Sequence, residues 1–169
     1  LLNTRHNIWV SNEVRMTRRK QHELDKALDD AYGLLQDVPE GWIKPNVLVL
    51  SDREMQTMAK ASYNAVKNEL VINEPLMGDG NRLETLVHEL IHWQDAQGYK
   101  GEIIAENFRA GYLEPLRKRC KKALDRAGIT ADNVSSISEY AKESYKEGKF
   151  DEAYTEYRVK KILERGQKK

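Results

Sequence analysis

The stretch Leu86-Val87-His88-Glu89-Leu90-Ile91-His92-Trp93-Gln94-Asp95 decides how the rest of the chain is read. It sets the pattern H-E-x-x-H inside a run whose apolar residues recur at helical spacing. On a helix turning about 100° per residue, His88 and His92 lie only about 40° apart and one turn above each other, so two imidazoles can reach one ion. Glu89 falls roughly 60° to the side of His92, where a base for a metal-activated water has to be. Leu83, Leu86, Val87, Leu90 and Ile91 fall on the other side and give the helix a face to bury. An amphipathic helix can carry two histidines and a glutamate with no chemistry attached. By ordinary residue usage, however, the pattern arises by chance in a chain this long on the order of one time in a hundred. Asn81 as N-cap, Glu84 three residues later as the second half of a capping box, and Gly98 as the stop mark both ends of the helix.

Working outward, 169 residues are enough for one domain with a real core. The 28 basic and 27 acidic side chains leave a net charge of +1, which offers no general attraction to nucleic acid or to anionic membranes. No apolar run approaches a membrane span. The single cysteine, Cys120, excludes an intrachain disulfide and a cysteine zinc cage, leaving histidine and carboxylate as ligands. Leu1 to Arg5 lack an initiator Met and the apolar core of a signal peptide, so the chain reads as a piece of a longer product or a processed one. A cytoplasmic or virion-associated place is expected.

Before the motif, Ile8-Trp9-Val10 opens the chain, with Ser11 or Asn12 as cap of a charged helix running to about Gln36. Leu24, Ala27, Leu28, Ala31, Leu34 and Leu35 form its apolar stripe. Asn46 to Ser51 and Glu69 to Asn73 are β-rich runs, Ser51 to Met58 a short helix, and Ala61 to Val66 a strand pairing with the second run through a turn at Lys67-Asn68. If the Tyr63 strand is an edge, its backbone could hold an extended peptide. After the motif a helix is expected from near Gly101, kinked or broken near Glu114 by Pro115 and closed by Gly128. The basic run Arg117 to Lys122 reads as exposed surface. Thr130 to Ser136 is irregular, Phe150 to Arg165 is the last helix, and Gly166 to Lys169 a frayed tail.

A catalytic zinc takes three protein ligands and leaves a position for water, so the two histidines need a partner. No histidine follows His92. The candidates are a carboxylate or a distant histidine, His6 or His22. Glu102 with Glu106 and Glu152 with Glu156 both have i, i+4 spacing, which would place one carboxylate on the metal and one behind a histidine.

The run His88-Glu89-Leu90-Ile91-His92-Trp93-Gln94-Asp95 with Gly98-Tyr99 resembles the H-E-x-x-H-x-x-D-x-x-G-Y of the anthrax lethal factor type of zincin. In that family an S-x-Y or S-Y segment precedes a C-terminal helix bearing E-x-x-A-E. Here Ser138-Glu139-Tyr140-Ala141 precedes Glu152-Ala153-Tyr154-Thr155-Glu156. The resemblance implies Glu152 as third zinc ligand, Glu156 as its companion, and Tyr140 as the hydroxyl that stabilises the oxyanion. Thr155 replaces the family's small Ala, and the gap from Tyr140 to Glu152 is longer than the family's, so Tyr145 competes with Tyr140. The string HELIHWQDA is also similar to zincin-like domains of phage and prophage proteins, some attached to head-associated ones. Glu102-Ile103-Ile104-Ala105-Glu106 is similar to the post-motif helix of regulatory gluzincins that cleave repressors.

These readings together predict one α+β, zincin-like domain over residues 1–169. It has a small mixed sheet, the motif helix, and a helical C-terminal half that completes the site. The expected function is hydrolysis of a peptide or protein substrate by a zinc-activated water, with His88, His92 and Glu152 as ligands, Glu89 as base and Tyr140 as oxyanion donor. The alternative class is a module that keeps this fold as a structural or docking part of a larger assembly.

Overall fold

The motif stretch folds as expected, as the helix α2 over Arg82–Gln97, with the core on one side. Leu86, Val87, Leu90, Ile91 and Trp93 are each no more than 1% exposed, and burying each side chain of this size stabilises by roughly 1.5 to 3 kcal/mol. The computed structural model describes residues 5–167, so Leu1 to Thr4 and the last two lysines of the expected tail lie outside the described residues. Gly166 and Gln167 belong to the last helix. The protein is mixed α and β, 54% helical, with one small mixed sheet. Packing concentrates in two compact units, Leu1–Lys100 and Gly101–Lys169.

In the first unit, β1 (Ile8–Val10), β2 (Asn46–Leu50), β3 (Ala61–Asn64) and β4 (Glu69–Asn73) form a sheet in the order β1-β2-β4-β3. The β1-β2 and β2-β4 pairs are parallel, and β3 runs antiparallel to β4, the expected pairing, at one edge of the sheet. The register aligns Ile8, Val47 and Leu70 across three strands, and Val49 with Ile72 in the next row. All five are buried. The period-two side-chain alternation thus gives the sheet one continuous apolar face. The β3-β4 turn is built by asparagine. The Asn64 side chain accepts from the backbone N–H groups of Val66 and Lys67, both at 3.0 Å, and Asn68 takes a left-handed φ of 50°.

The long helix α1 spans Arg18–Leu34 and buries Leu24, Ala27, Leu28 and Ala31, as its period predicts. Its start differs from the expectation at Ser11 or Asn12. Thr17 is the cap, its hydroxyl accepting from the Lys20 N–H at 3.2 Å. Ser11 is instead engaged by Glu54, to which it donates at 2.7 Å. Glu54 also accepts the Ser51 N–H at 2.9 Å, which closes Ser51 to Glu54 into a turn where a short helix was expected. The capping box on α2 does not form. Asn81 makes no side-chain cap bond, because Asp79 takes the Asn81 N–H at 2.7 Å in a local turn and draws the backbone away from capping geometry.

The second unit is helical. Glu102 and Glu106 do not share a helix face: Ile104 is extended, and the first turn of 3-10 helix begins only at Ala105. A π-helical stretch, Phe108–Leu113, then leads into α3 (Glu114–Arg126), with Pro115 in its first turn, where a missing N–H costs nothing. Tyr112, Leu116, Cys120 and Leu124, four residues apart, are buried. Gly128, at φ +76°, closes α3: the Ile129 N–H reaches the Leu124 carbonyl at 2.9 Å and the Gly128 N–H that of Asp125 at 3.0 Å, a left-handed C-cap. Sequence reading left Glu139 to Lys146 unassigned; it is the helix α4, Glu139–Lys146, capped by Ser138. The last helix, α5, spans Phe150–Gln167. It buries Ala153, Val159 and Ile162 and packs against α3 and α4.

Candidate functional site

On α2 the side chains of His88 and His92 converge, with their Nε2 atoms 3.2 Å apart and both rings half-buried. Two imidazole nitrogens on one four-coordinate ion at metal-nitrogen distances of about 2.0 to 2.1 Å sit roughly 3.3 Å apart. The pair therefore has the spacing two ligands need, and without an ion the same spacing is that of a hydrogen bond between one protonated and one bare ring nitrogen. Glu89 follows His88 on the same helix and is half-buried.

The far side of α2 is held by other contacts. Trp93, fully buried, meets Tyr32 edge-on at 5.6 Å and Trp42 at 5.9 Å. Its indole N–H donates to the Ile43 carbonyl at 2.8 Å. Gln97 accepts the Ile43 N–H at 3.3 Å, and Gln94 donates to the Gln36 carbonyl at 2.9 Å. The segment after α1 thus straps the helix at three residues, Trp93, Gln94 and Gln97. Sequence reading missed this strap. Its signal was Trp93 with Gln94 and Gln97, polar groups at near-helical spacing on the side away from the histidines.

The distant histidines have other employment. His6 is 4% exposed, stacks on Tyr32 at 5.5 Å and bonds Asp29 through Nε2 at 2.8 Å. That bond, with Arg5 nearby, holds the Asp29 carboxyl below the usual carboxylate range. His22 is an exposed residue of α1. Tyr63 donates to the Asn68 side chain at 2.7 Å. Burial pushes its hydroxyl up to about 12, so it stays a neutral turn-packing donor.

In the second unit, α5 carries Glu152 and Glu156, and α4 supplies a hydroxyl to each. Tyr140 donates to Glu152 Oε2 at 3.2 Å, and Ser138 donates to Glu156 Oε1 at 2.9 Å. Tyr145, the competitor, instead packs edge-on against Phe150 at 5.1 Å, with the Lys121 ammonium 6.0 Å from its ring centre. The first turn of α5 is pinned by Asp151, which is 6% exposed and accepts from Arg117 at 2.9 Å. Arg117 therefore leaves the exposed basic run, while Lys118, Arg119 and Lys122 remain at the surface. Thr155, where the resembling family has Ala, is fully buried and donates to the Asp151 carbonyl at 2.7 Å. The hydroxyl thus fits a buried position by bonding back along its own helix. Glu102 and Glu106 are exposed.

Comparison with protein-family models, with curated proteins and with solved structures finds no match to this chain. No helix among the described residues is long and apolar enough to cross a membrane.

Proposed function

We propose that the chain is a zincin-type metallopeptidase domain that hydrolyses peptide bonds in a peptide or protein substrate, using one zinc ion held by His88, His92 and Glu152. The observation that carries this reading is the convergence of His88 and His92 on a helix whose opposite side is fixed in the core. The donor set agrees with it, since His88, His92 and Glu152 are a group that could hold a metal ion, one ligand atom from each. Two imidazoles and a carboxylate are a ligand set of catalytic zinc and leave a position for water.

A zinc ion held by His88, His92 and Glu152 would supply Lewis acidity, which lowers the pKa of a water towards neutrality and polarises a carbonyl. Glu89 takes the proton from the attacking water and hands it to the leaving amine, so one carboxylate serves as base and then as acid. The Tyr140 hydroxyl, held in a hydrogen bond with Glu152 and 52% exposed, turns to donate to the oxygen that gains charge in the tetrahedral transition state.

Incubating a proteome-derived peptide library with wild type and with Glu89→Gln tests this. The substitution keeps the side-chain shape and removes the base, so cleavage should fall by roughly 10² to 10⁴-fold. Cleavage undiminished in Glu89→Gln overturns the mechanism.

A further inference from the structure

Within the second unit α4 and α5 pack side by side, and two hydrogen bonds join them like rungs. Glu152 and Glu156 are one helical turn apart on one face of α5. The first residues of α4 meet them in order: Tyr140 reaches Glu152 at 3.2 Å and Ser138 reaches Glu156 at 2.9 Å. Both rungs end on a carboxylate, the stronger class of hydrogen bond, and the Ser138 rung is the shorter of the two. Ser138 does a second job with the same oxygen, accepting the Ala141 N–H at 3.0 Å as the N-cap of α4. One hydroxyl therefore both starts α4 and ties that start to α5. Ala141 and Ser144, at 0% and 3% exposure, seat the other side of α4, whereas Tyr140 at 52% exposure is not fixed by burial.

We infer that Ser138 and Glu156 form a latch that sets the Tyr140 hydroxyl on Glu152, which makes Ser138 a positioning residue for the proposed reaction. The inference rests on reading Tyr140 as the oxyanion donor. Without the Ser138 rung the first turn of α4 can shift along α5, and Tyr140 loses its register with Glu152 while the buried side of α4 stays seated.

Two substitutions separate the latch from the cap. Ser138→Asp keeps an oxygen for the Ala141 N–H but has no proton to give and faces Glu156 with a like charge; Ser138→Thr keeps both functions. Ser138→Gly, a tolerated capping residue without a side chain, serves if the aspartate variant does not fold. The first readout needs no metal and no substrate. In protein carrying ¹³C-labelled tyrosine rings, the Tyr140 signal is identified by its loss in Tyr140→Phe, and its released position is defined by Glu152→Ala. Ser138→Asp should move that signal to the released position with circular dichroism unchanged, and Ser138→Thr should leave it in place. A Tyr140 signal unmoved in Ser138→Asp and Ser138→Gly overturns the latch.

The second readout is kinetic. Ser138→Asp should lower kcat to within about two-fold of Tyr140→Phe with KM little changed, and should add no further loss in the Tyr140→Phe background. An equal further loss in that background overturns the positioning role. If wild type cleaves no peptide, the peptidase reading fails on its own, and the ring signal alone then decides whether the latch exists.

Discussion

The helices α2 and α5 each carry a pair of side chains four residues apart, and the groups nearest the two pairs differ in kind. Behind His88 and His92 stand Leu86, Val87, Leu90, Ile91 and Trp93, all buried and apolar apart from the indole N–H. Around Glu152 and Glu156 stand polar ties: Arg117 on Asp151, Thr155 on the Asp151 carbonyl, Ser138 on Glu156 and Tyr140 on Glu152. Apolar burial is non-directional and carries no titrating group. Polar anchoring is directional, so it sets the rotation and register of α5 and depends on each partner being present.

That contrast can be broken by mutation, and the largest effect is expected in the core. Leu90→Ala, at a fully buried position of α2, should destabilise by about 3 to 5 kcal/mol in denaturant unfolding. A loss under about 1 kcal/mol would mean that α2 is not held by its apolar face. Next, Arg117→Leu leaves the Asp151 carboxylate, with its side chain 8% exposed, without the guanidinium, and should cost about 2 to 3 kcal/mol. Replacing both partners by leucine should recover most of that loss, since the cost lies in the stranded charge. If the double variant is as unstable as the single one, the pair is more than an ion pair. A smaller effect, about 1 kcal/mol, is expected for Thr17→Ala, which removes the α1 cap.

The smallest is a pH effect in the first unit. The Asp29 carboxyl is held below its ordinary value of 3.8 by its bond to His6 and by Arg5. Its contribution is fully present above that value and is lost as pH falls through the lower folded-state value. Asp29→Asn should therefore flatten the acid limb of the stability curve below about pH 4, read from denaturant unfolding at a series of pH values.

The same contrast explains how far the sequence could be read. Apolar periodicity is written in one element at a time, so α1, α2, α5 and the strands β2, β3 and β4 follow from spacing and turn residues, whereas β1, three residues long, is too short to show a period. The two histidines are legible for the same reason, because i, i+4 on one helix fixes their distance. Polar ties link residues far apart in the chain and leave no local period. Arg117, read with its basic neighbours as surface, pairs with Asp151 thirty-four positions away, and Ser138 reaches Glu156 across eighteen. Glu102 and Glu106 show the converse error, a helical spacing on a segment that Ile104 keeps extended. Local competition accounts for the missing capping box on α2, whose N-cap is Asn81 as read, and for the misplaced cap of α1: Asp79 takes the Asn81 N–H before a capping box can form, and Glu54 engages Ser11.

The central claim is that His88 and His92 hold zinc together with Glu152. It is tested most directly by metal analysis of protein purified without added zinc, comparing wild type with His88→Ala/His92→Ala, Glu152→Ala and Glu102→Ala. Wild type and Glu102→Ala should carry one zinc per chain, the double histidine variant none, and Glu152→Ala should lose its zinc to a chelator that wild type resists. Negligible zinc in wild type and double variant alike, both before and after exposure to zinc, would contradict the claim. Equal retention by wild type and Glu152→Ala would remove Glu152 from the site.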